Sequence, residues 1–591
     1  MIAVFAILCR VFTASFATIY ASAPFYYGDF VLSAAPGFHD EPFDLAVSIP
    51  SIPDAVIYWT IDGTDPQPGD IRYIFRGWNR IIQANGQLSE SGKIEVRDRT
   101  SHWQQAILAS HSDSWERFGS VLPEEDAVIL QGTVFRFRGF VNGEPVTEII
   151  TTTYIIAENA NERFTNMPII SIAAPYDDFI YMYSHAEARR NFGITRRKIF
   201  NYEYFEWDGY EYTRVFSLLG SSSLGGFGSR AYAQRTINVH LSRDELNGVV
   251  THRIFDDLYE LYRFRLWNGG SNFHSLVYID AFAQTASAGL NVLHSDNNLA
   301  IKFVNGEYWG FTTMREHTSN RHFVRTRTGM ANRNIAIMNR SPVLTSQGWR
   351  PADVVSEGDE ETVLALYYEL VDFVKTNDMS SDYAVERLFD EFWCKYNFMD
   401  YIIANTFFNN MDWVDNVNNM RFFRAITPNT DSNNIYDDGK WRFILHDMDG
   451  IGVHPNGSQF PYLYELHPRV HSENLYFHYM FLVFNNPTFV AQFRERAIYV
   501  LENYFYKERL LALLNEFSLR YNPLLPEMYN RFAIRQTVDA SLARYDGHLI
   551  RLREFIINRD YHYRNQLDHL IERLSYQYEY FEMGLLDEFP N

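Results

Sequence analysis

The sequence predicts an α+β protein in which a small all-β sandwich precedes a larger mixed domain that closes in helices. Three observations predict it. From about residue 31 to 157, apolar residues alternate at period two between turn residues, as in Leu45, Val47, Ile49 and Phe135, Phe137. From Asn166 onward, strand-like runs are separated by longer mixed segments. Beyond Glu361, apolar residues recur at helical spacing.

With 591 residues the chain exceeds one ordinary core, so several domains are expected. The first 23 residues are apolar and small and end in Ala-Ser-Ala at Ala23, the pattern of a cleaved export signal. Arg10, the first charge in the chain, ends the leading region, and Val11–Tyr20 form its apolar run. No later segment offers 18 uncharged apolar residues, so no transmembrane segment is expected after cleavage. The second cysteine, Cys394, lies on an apolar helical face and reads as an inert buried thiol. A net charge of −21 excludes nucleic acid as the main partner.

The expected boundaries are 1–23 for the signal, 24–157 for the sandwich and 158–591 for the mixed domain. Within the first domain, "AVIYWTIDGTDP" is a strand entering an Asp-Gly turn, and "TVFRFRGFVNGEPVTEIITTTYII" is a hairpin. The mixed domain opens on the strand "MPIISIAA". The stretch Leu218–Arg230, rich in Gly and Ser, reads as a loop able to present backbone N–H groups to phosphate. It lacks the lysine of a Walker A loop. "LAIKFVNGEYWGFTTMREH" follows, then helices over Glu361–Thr376, Asp382–Phe408 and several between Pro487 and Gln577.

The strongest chemical signal is "KWRFILHDMDGIG". A strand-like run delivers Asp447 and Asp449 to a glycine turn. Two neighbouring carboxylates repel unless a cation lies between them, and hard oxygens suit Mg²⁺ or Mn²⁺. Upstream, "NNMDWVDNVNNMRFF" follows an apolar helix and offers Asp412, Asn418 and Asn419. An aspartate, an asparagine a few residues on, and a second aspartate at a strand end form the arrangement protein kinases use for the hydroxyl proton and the metal-bound triphosphate. Strand-end acids in a solvated turn are the bland counterpart. A haloacid-dehalogenase phosphatase would need a doubly wound fold after the motif, where the sequence reads as helices. A glycosyltransferase would need a nucleotide-sugar domain before it. No H-E-x-x-H or G-x-S-x-G motif is present.

Taken in order, "MPIISIAA", "LLGSSS…SRAYAQRTINVHL", "RLWNGGSNF…YIDAFAQ", "FVNGEYWGFTTMREH", "NNMDW…NNMRFFR", "KWRFILHDMDG" and "LREFIINRDYHYRNQLDHL" resemble the motifs of the spore coat protein H (CotH) family of atypical secreted protein kinases. The resemblance covers roughly Asn166–Leu574. The motif "IYWTIDGTDPQPGDIRY" with "TTTYII" resembles the immunoglobulin-like modules at the C-termini of chitobiases and hexosaminidases, which implies carbohydrate contact or a spacer role.

The CotH resemblance implies a protein-kinase-like fold. It also implies phosphate transfer from ATP, with Mg²⁺ or Mn²⁺, to Ser or Thr of secreted or bacterial surface proteins. By position, Asp412 is the catalytic aspartate, Asn419 (with Asn418 as alternate) the loop metal ligand, and Asp447 the principal metal aspartate with Asp449 beside it. Arg235 and Glu316 fall at the nucleotide-side cation and its acidic partner. Arg235 replaces a lysine, and Trp267, Asn272 and Ile279 replace an arginine, an aspartate and an arginine of the family pattern. A catalytically inactive relative serving as a surface or wall-associated scaffold therefore stays open as the alternative.

Overall fold

A computed structural model describes residues 24–575 except 70–72, 77–79, 84, 89–90, 107, 109–122, 184–195, 227, 245, 256–259, 274, 340–342, 346–347, 351–353, 411–412, 414–418, 430, 452–479 and 533–536. The segment read as a signal (1–23), Asp412 and Asn418 lie outside the described residues.

The described N-terminal strands form two larger sheets and two two-stranded ribbons, Tyr73–Arg76 with Arg80–Gln83 and Ser101–His102 with Val128–Ile129. One larger sheet runs Phe25–Tyr27, Phe30–Leu32, Phe43–Ser48, Lys93–Val96. The other runs Gly37–His39, Ile150–Ile156, Thr133–Val141, Val56–Thr60, Asn85–Gln87. Leu32, Leu45 and Val47 from the first sheet meet Phe135, Phe137 and Tyr154 from the second in one core. Period-two alternation put those side chains on the facing surfaces.

Seven strands then close into a barrel: β1 (Ile169–Ala173), β2 (Lys198–Trp207), β3 (Tyr212–Leu224), β4 (Ile237–His240), β5 (Arg263–Trp267), β6 (Asn297–Val304) and β7 (Glu307–Glu316). The strand order is β1-β2-β3-β4-β5-β7-β6, with β6 returning parallel to β1. Asn305-Gly306 makes the tight β6–β7 turn, both residues at positive φ as a two-residue hairpin requires. Tyr202 on β2 and Phe264 on β5 are not strand neighbours, yet their rings lie 5.9 Å apart, so both point inward.

The Gly- and Ser-rich stretch is not a loop at its start. Gly220–Leu224 belong to β3. Gly220 is small because the barrel interior is full: a Cβ there would lie 2.6 Å from Val239 and 3.0 Å from Tyr202. Ser222 pairs inward with the Tyr202 hydroxyl at 2.6 Å. Local composition read as a loop, and interior packing made it a strand.

The sandwich and barrel share buried contacts across the 157/158 boundary. Trp103, Leu108, Ile129, Leu130 and Ile155 pack in the same core as the barrel. Thr153 donates to Glu203 on β2 at 2.6 Å. Arg214 on β3 reaches both Glu203 (2.8 Å) and the Thr151 carbonyl (2.9 Å). Burial raises the Glu203 carboxyl, with Arg214 opposing.

After the barrel, a second sheet of order β9-β8-β10-β11 uses β8 (Ile335–Met338), β9 (Val355–Glu357), β10 (Arg421–Ala425) and β11 (Arg442–Ile444). The remaining chain is helical, including α1 (Glu360–Thr376), α2 (Lys395–Phe407), α3 (Pro487–Asn503), α4 (Lys507–Tyr521), α5 (Leu525–Arg531) and α6 (Val538–Ser575). The protein is thus α+β. The single helix expected over Asp382–Phe408 is broken. Trp393 leaves the helix to bridge Trp441, and both indoles are buried. Cys394 is a free, half-buried thiol at the start of α2. Among the described residues, no helix is long and apolar enough to cross a membrane.

Lys302 carries a testable consequence of this interior. It pairs in register with Ile170, whose face also holds Tyr204 and Tyr202 through β2, so its ammonium points into the barrel. It is fully buried, and its Nζ has no hydrogen-bond partner. Burial, reinforced by Arg531, lowers its pKa to about 7. The unfolded chain keeps that proton up to a pH of about 10.4. Between those values the unfolded state binds more protons, so stability rises with pH across that window; the full cost applies below about pH 7. Lys302→Met is expected to raise the thermal midpoint at neutral and mildly acidic pH by several degrees, and to flatten the rise above pH 7. Thermal unfolding monitored from pH 6 to 10 checks it.

Candidate active site

The Asp447–Asp449 turn is built from five separate parts of the chain. Strand β11 is fixed first. The Asn397 amide on α2 accepts from the Phe443 N–H at 2.6 Å and donates to the Phe443 carbonyl at 3.0 Å. The Leu445 N–H donates to the Leu293 carbonyl at 2.7 Å. The strand then ends, and Asp447 turns the backbone at φ 53°, a left-handed conformation that Asp tolerates better than most residues.

Three groups hold that turn. The Met448 N–H donates to Asp280 Oδ1 at 2.6 Å. Asp280 is fully buried on the short helix Ile279–Ala286, and its other oxygen pairs with Arg315 of β7. Asn410 donates to the Asp447 carbonyl at 3.2 Å and lies 3.5 Å from the Met448 sulfur. The Ser271 N–H donates to Asp449 Oδ2 at 2.8 Å, and the Asn272 amide donates to the Asp449 carbonyl. Gly270, at φ +55°, makes this approach feasible: a Cβ there would lie 2.2 Å from Asp449 Oδ2.

The two aspartates therefore differ. Asp449 is 8% exposed and clasped by the Gly269–Asn272 turn. Asp447 is half-buried, with Arg265 as a charged neighbour. Burial lowers the Arg265 guanidinium to about 10; Arg315 adds to this, and Asp447 and Asp280 oppose it. Arg315 lies over the Trp267 ring at 4.9 Å, so Trp267 seats this arginine. His446 accepts or donates at Thr318 Oγ1, 3.1 Å away. Burial, then Arg421, Arg265, Arg315 and His317, keep His446 well below its ordinary pKa, so the ring is neutral.

Asn419 is buried two residues before Arg421, which pairs in register with Ile444 on β11. The strand pair thus carries Asn419 to the same end of the sheet as Asp447. Arg421 is itself anchored to Ser319 Oγ (2.9 Å) and the Met420 carbonyl (2.9 Å). Asp412 and Asn418 are outside the described residues; the nearest described neighbour before Asp412 is Asn410, the donor to Asp447.

Arg235 packs beside Tyr232, a neighbour of Asp449, and Glu316 follows Arg315 at the end of β7. Arg235 is 1% exposed, donates from Nε to the Tyr232 carbonyl at 3.1 Å and lies over the Tyr183 ring at 4.8 Å. The Glu316 carboxylate takes Arg327 at 2.5 Å and the Asp296 N–H at 2.9 Å. Burial pushes Glu316 up to about 7, against the pull of Arg327.

Sequence reasoning did not single out Arg265, Arg315 or Asn410; it read His446 as a surface or packing residue, and it met Asp280 only as the second residue of the Ile279-Asp280 pair. One signal for Asp280 was available: it is the lone charge in the apolar run "YIDAFAQTA". A buried charge requires a partner, but nothing local names Arg315, 35 residues later.

Among the described residues, no three His, Cys, Asp or Glu side chains converge as a metal cage. That donor set still suits Mg²⁺, which keeps water and uses one or two carboxylates together with substrate phosphates. Asp447 and Asn419 offer hard oxygens at this end of the sheet, and Arg265 is the charged neighbour of Asp447.

Residues 271–563 match the family model described as CotH kinase protein. The matched segment contains Asp280, Arg315, Glu316, Asp412, Asn418, Asn419, Asp447 and Asp449, and it begins after Arg235, Arg265 and the N-terminal sandwich. The CotH match thus falls on the clasped aspartate turn itself. No curated protein matches the chain.

Proposed function

We propose that this protein is a CotH-like kinase that transfers the γ-phosphate of ATP to Ser or Thr of secreted or surface proteins. The observation that supports this most is the clasped turn. Asp280, Asn410, Ser271 and Asn272 hold Asp447 in one conformation beside Arg265, inside the segment that matches the CotH family. Asp447 and Asn419 would hold Mg²⁺ or Mn²⁺, which neutralises phosphate charge when bound. Asp449 fixes the turn, its Oδ2 being occupied by the Ser271 amide. Asp412 accepts the proton of the attacking hydroxyl as its oxygen bonds to the γ-phosphorus and ADP leaves. Two peptide units, about 7 Å at full extension, separate Asp412 from Asn410.

Isothermal titration of the purified chain with ATP tests the reading. Binding with Mg²⁺ or Mn²⁺ that disappears with chelator is expected. Equal titrations in both conditions would remove it.

A second reading is favoured by Arg235. Its buried guanidinium is committed to Tyr183 and Tyr232, where the family pattern has a lysine on the nucleotide side. In this reading the chain is an inactive scaffold, and labelled ATP gives neither binding nor transfer.

Export belongs to the proposal as well. The Ala-Ser-Ala pattern motivates cleavage after Ala23. Mass spectrometry of the exported protein is expected to find Pro24 as the N-terminus; an intact Met1 on an internal protein would contradict it.

A further inference from the structure

The outer face of the barrel carries a cluster that the proposed phosphate transfer does not use. In a chain of net charge −21, arginines gather at one rim. Strand register builds it. His240 pairs with Arg263, Asn238 pairs with Arg265, and Ser221 pairs with His240, while Val239 and Phe264 face inward. Arg197 directly precedes β2, and Arg243 follows β4. Arg265 faces Asp447, and Arg263 lies two residues further along the same strand, about 7 Å away at ordinary strand rise. The rim is therefore continuous with the aspartate turn.

Among the described residues its positive charge is only partly balanced. Among the described residues the acids facing it are Asp244, Glu357 and Glu260, with Asp447 and Asp280 at the Arg265 end. Glu357 is taken by Arg321 at 2.5 Å and Glu260 by Arg325 at 2.6 Å. Asp244 approaches Arg243 only to 3.9 Å and accepts from Ser221. Among the described residues, neither Arg197 nor Arg263 has an ion-pair partner. Arg263 Nε and His240 Nδ1 are buried without a hydrogen-bond partner, and His240 is 6% exposed. The His240 and His317 rings stand 5.8 Å apart, and His317 Nε2 lies 3.3 Å from Arg265. Burial lowers Arg263; Glu357 opposes, while Arg243, Arg321 and Arg197 add to it. Burial, then Arg263, Arg243, Arg197 and Arg265, lower His240 to about 3, so its ring is neutral. A surplus of partly desolvated cations of one sign is costly unless an anion completes it.

We propose that this rim is a subsite for an acidic or phosphorylated side chain of the polypeptide that receives phosphate, with Arg197 and Arg243 as its exposed contacts and Arg263 behind them. The inference rests on the kinase reading. It names the substrate class for that site: Ser or Thr near an anionic residue. Arginine suits this task because its planar fork matches carboxylate and phosphate oxygens. The remainder of the strongly acidic surface repels polyanions, so recognition is confined to the rim.

Fluorescence anisotropy with the full chain and no nucleotide tests it. The probe is a labelled peptide with Ser flanked by Asp and Glu, in unphosphorylated and phosphoserine forms. Its control carries Asn and Gln in place of the acids. The acidic and phosphoserine peptides are expected to bind and the amide peptide not. The exposed double variant Arg197→Gln/Arg243→Gln is expected to weaken binding about tenfold or more, as loss of complementary charge does. Saturating Mg-ATP is expected to leave the peptide bound. Equal binding of the acidic and amide peptides, or an unchanged double variant with native thermal stability, overturns the subsite. Full displacement by Mg-ATP overturns it too, since the nucleotide is then the anion. ATP binding without peptide binding removes the subsite alone. Peptide binding without metal-dependent ATP binding removes its role in a kinase.

Discussion

Asp280→Ala is expected to lower stability by about 3–5 kcal/mol, the range for deleting one partner of a buried ion pair, and to abolish metal-dependent ATP binding. Two groups lose their acceptor at once. Arg315 keeps its charge in a buried setting against Trp267, and the Met448 N–H is left without Asp280 Oδ1. The second loss releases the backbone next to Asp447, so stability and ligand affinity should fall together. Asp280→Asn keeps an oxygen for the Met448 N–H and is expected to lie between wild type and Ala. The double variant Asp280→Leu/Arg315→Met removes both charges and is expected to recover much of the stability but not the ATP affinity, because apolar replacement of a whole buried pair is often neutral. Thermal unfolding together with ATP titration separates these outcomes. An Asp280→Ala protein with wild-type stability would show that the turn is held by other means.

Asp447→Ala and Asp412→Ala are expected to fail differently. Removing Asp447 takes away the half-buried carboxylate that faces Arg265, so metal-dependent ATP binding should be lost. Removing Asp412 takes away only the proton acceptor. Binding should survive, and turnover should fall by about 10²–10⁴-fold, the usual worth of general-base help. Asp449→Asn is expected to behave as a third class: its carboxylate accepts from the Ser271 N–H, so it should loosen the turn and weaken ATP binding less than Asp447→Ala. If Asp449→Asn is the most damaging of the three for metal affinity, the division of labour between the two aspartates is reversed.

These variants trace how far the site was legible in sequence. Asp447 and Asp449 stood out because a strand-like run ended on them, and the structure does place both just after β11. The Asn142-Gly143 turn of the sandwich hairpin was legible for the same local reason. What was not legible is non-local. The Gly220 region reads as a loop until the interior contacts of Tyr202 and Val239 explain the missing side chain. Closure of seven strands into a barrel depends on β6 meeting β1, more than a hundred residues away in sequence. The break at Trp393 arises from its bridge to Trp441, which helical periodicity cannot anticipate. The arginine rim is drawn from β5 and from residues flanking β2 and β4, and only strand register assembles it.

The central claim is that the clasped aspartate turn supports phosphate transfer. The most direct measurement incubates the purified chain with γ-labelled ATP and Mg²⁺ or Mn²⁺, in parallel with Asp412→Ala and with chelator. Label incorporated on Ser or Thr, in the chain itself or in an added acidic Ser-containing polypeptide, and absent from both controls, is the predicted result. Metal-dependent ATP binding with no transfer to any hydroxyl, or incorporation that persists in Asp412→Ala, would contradict it.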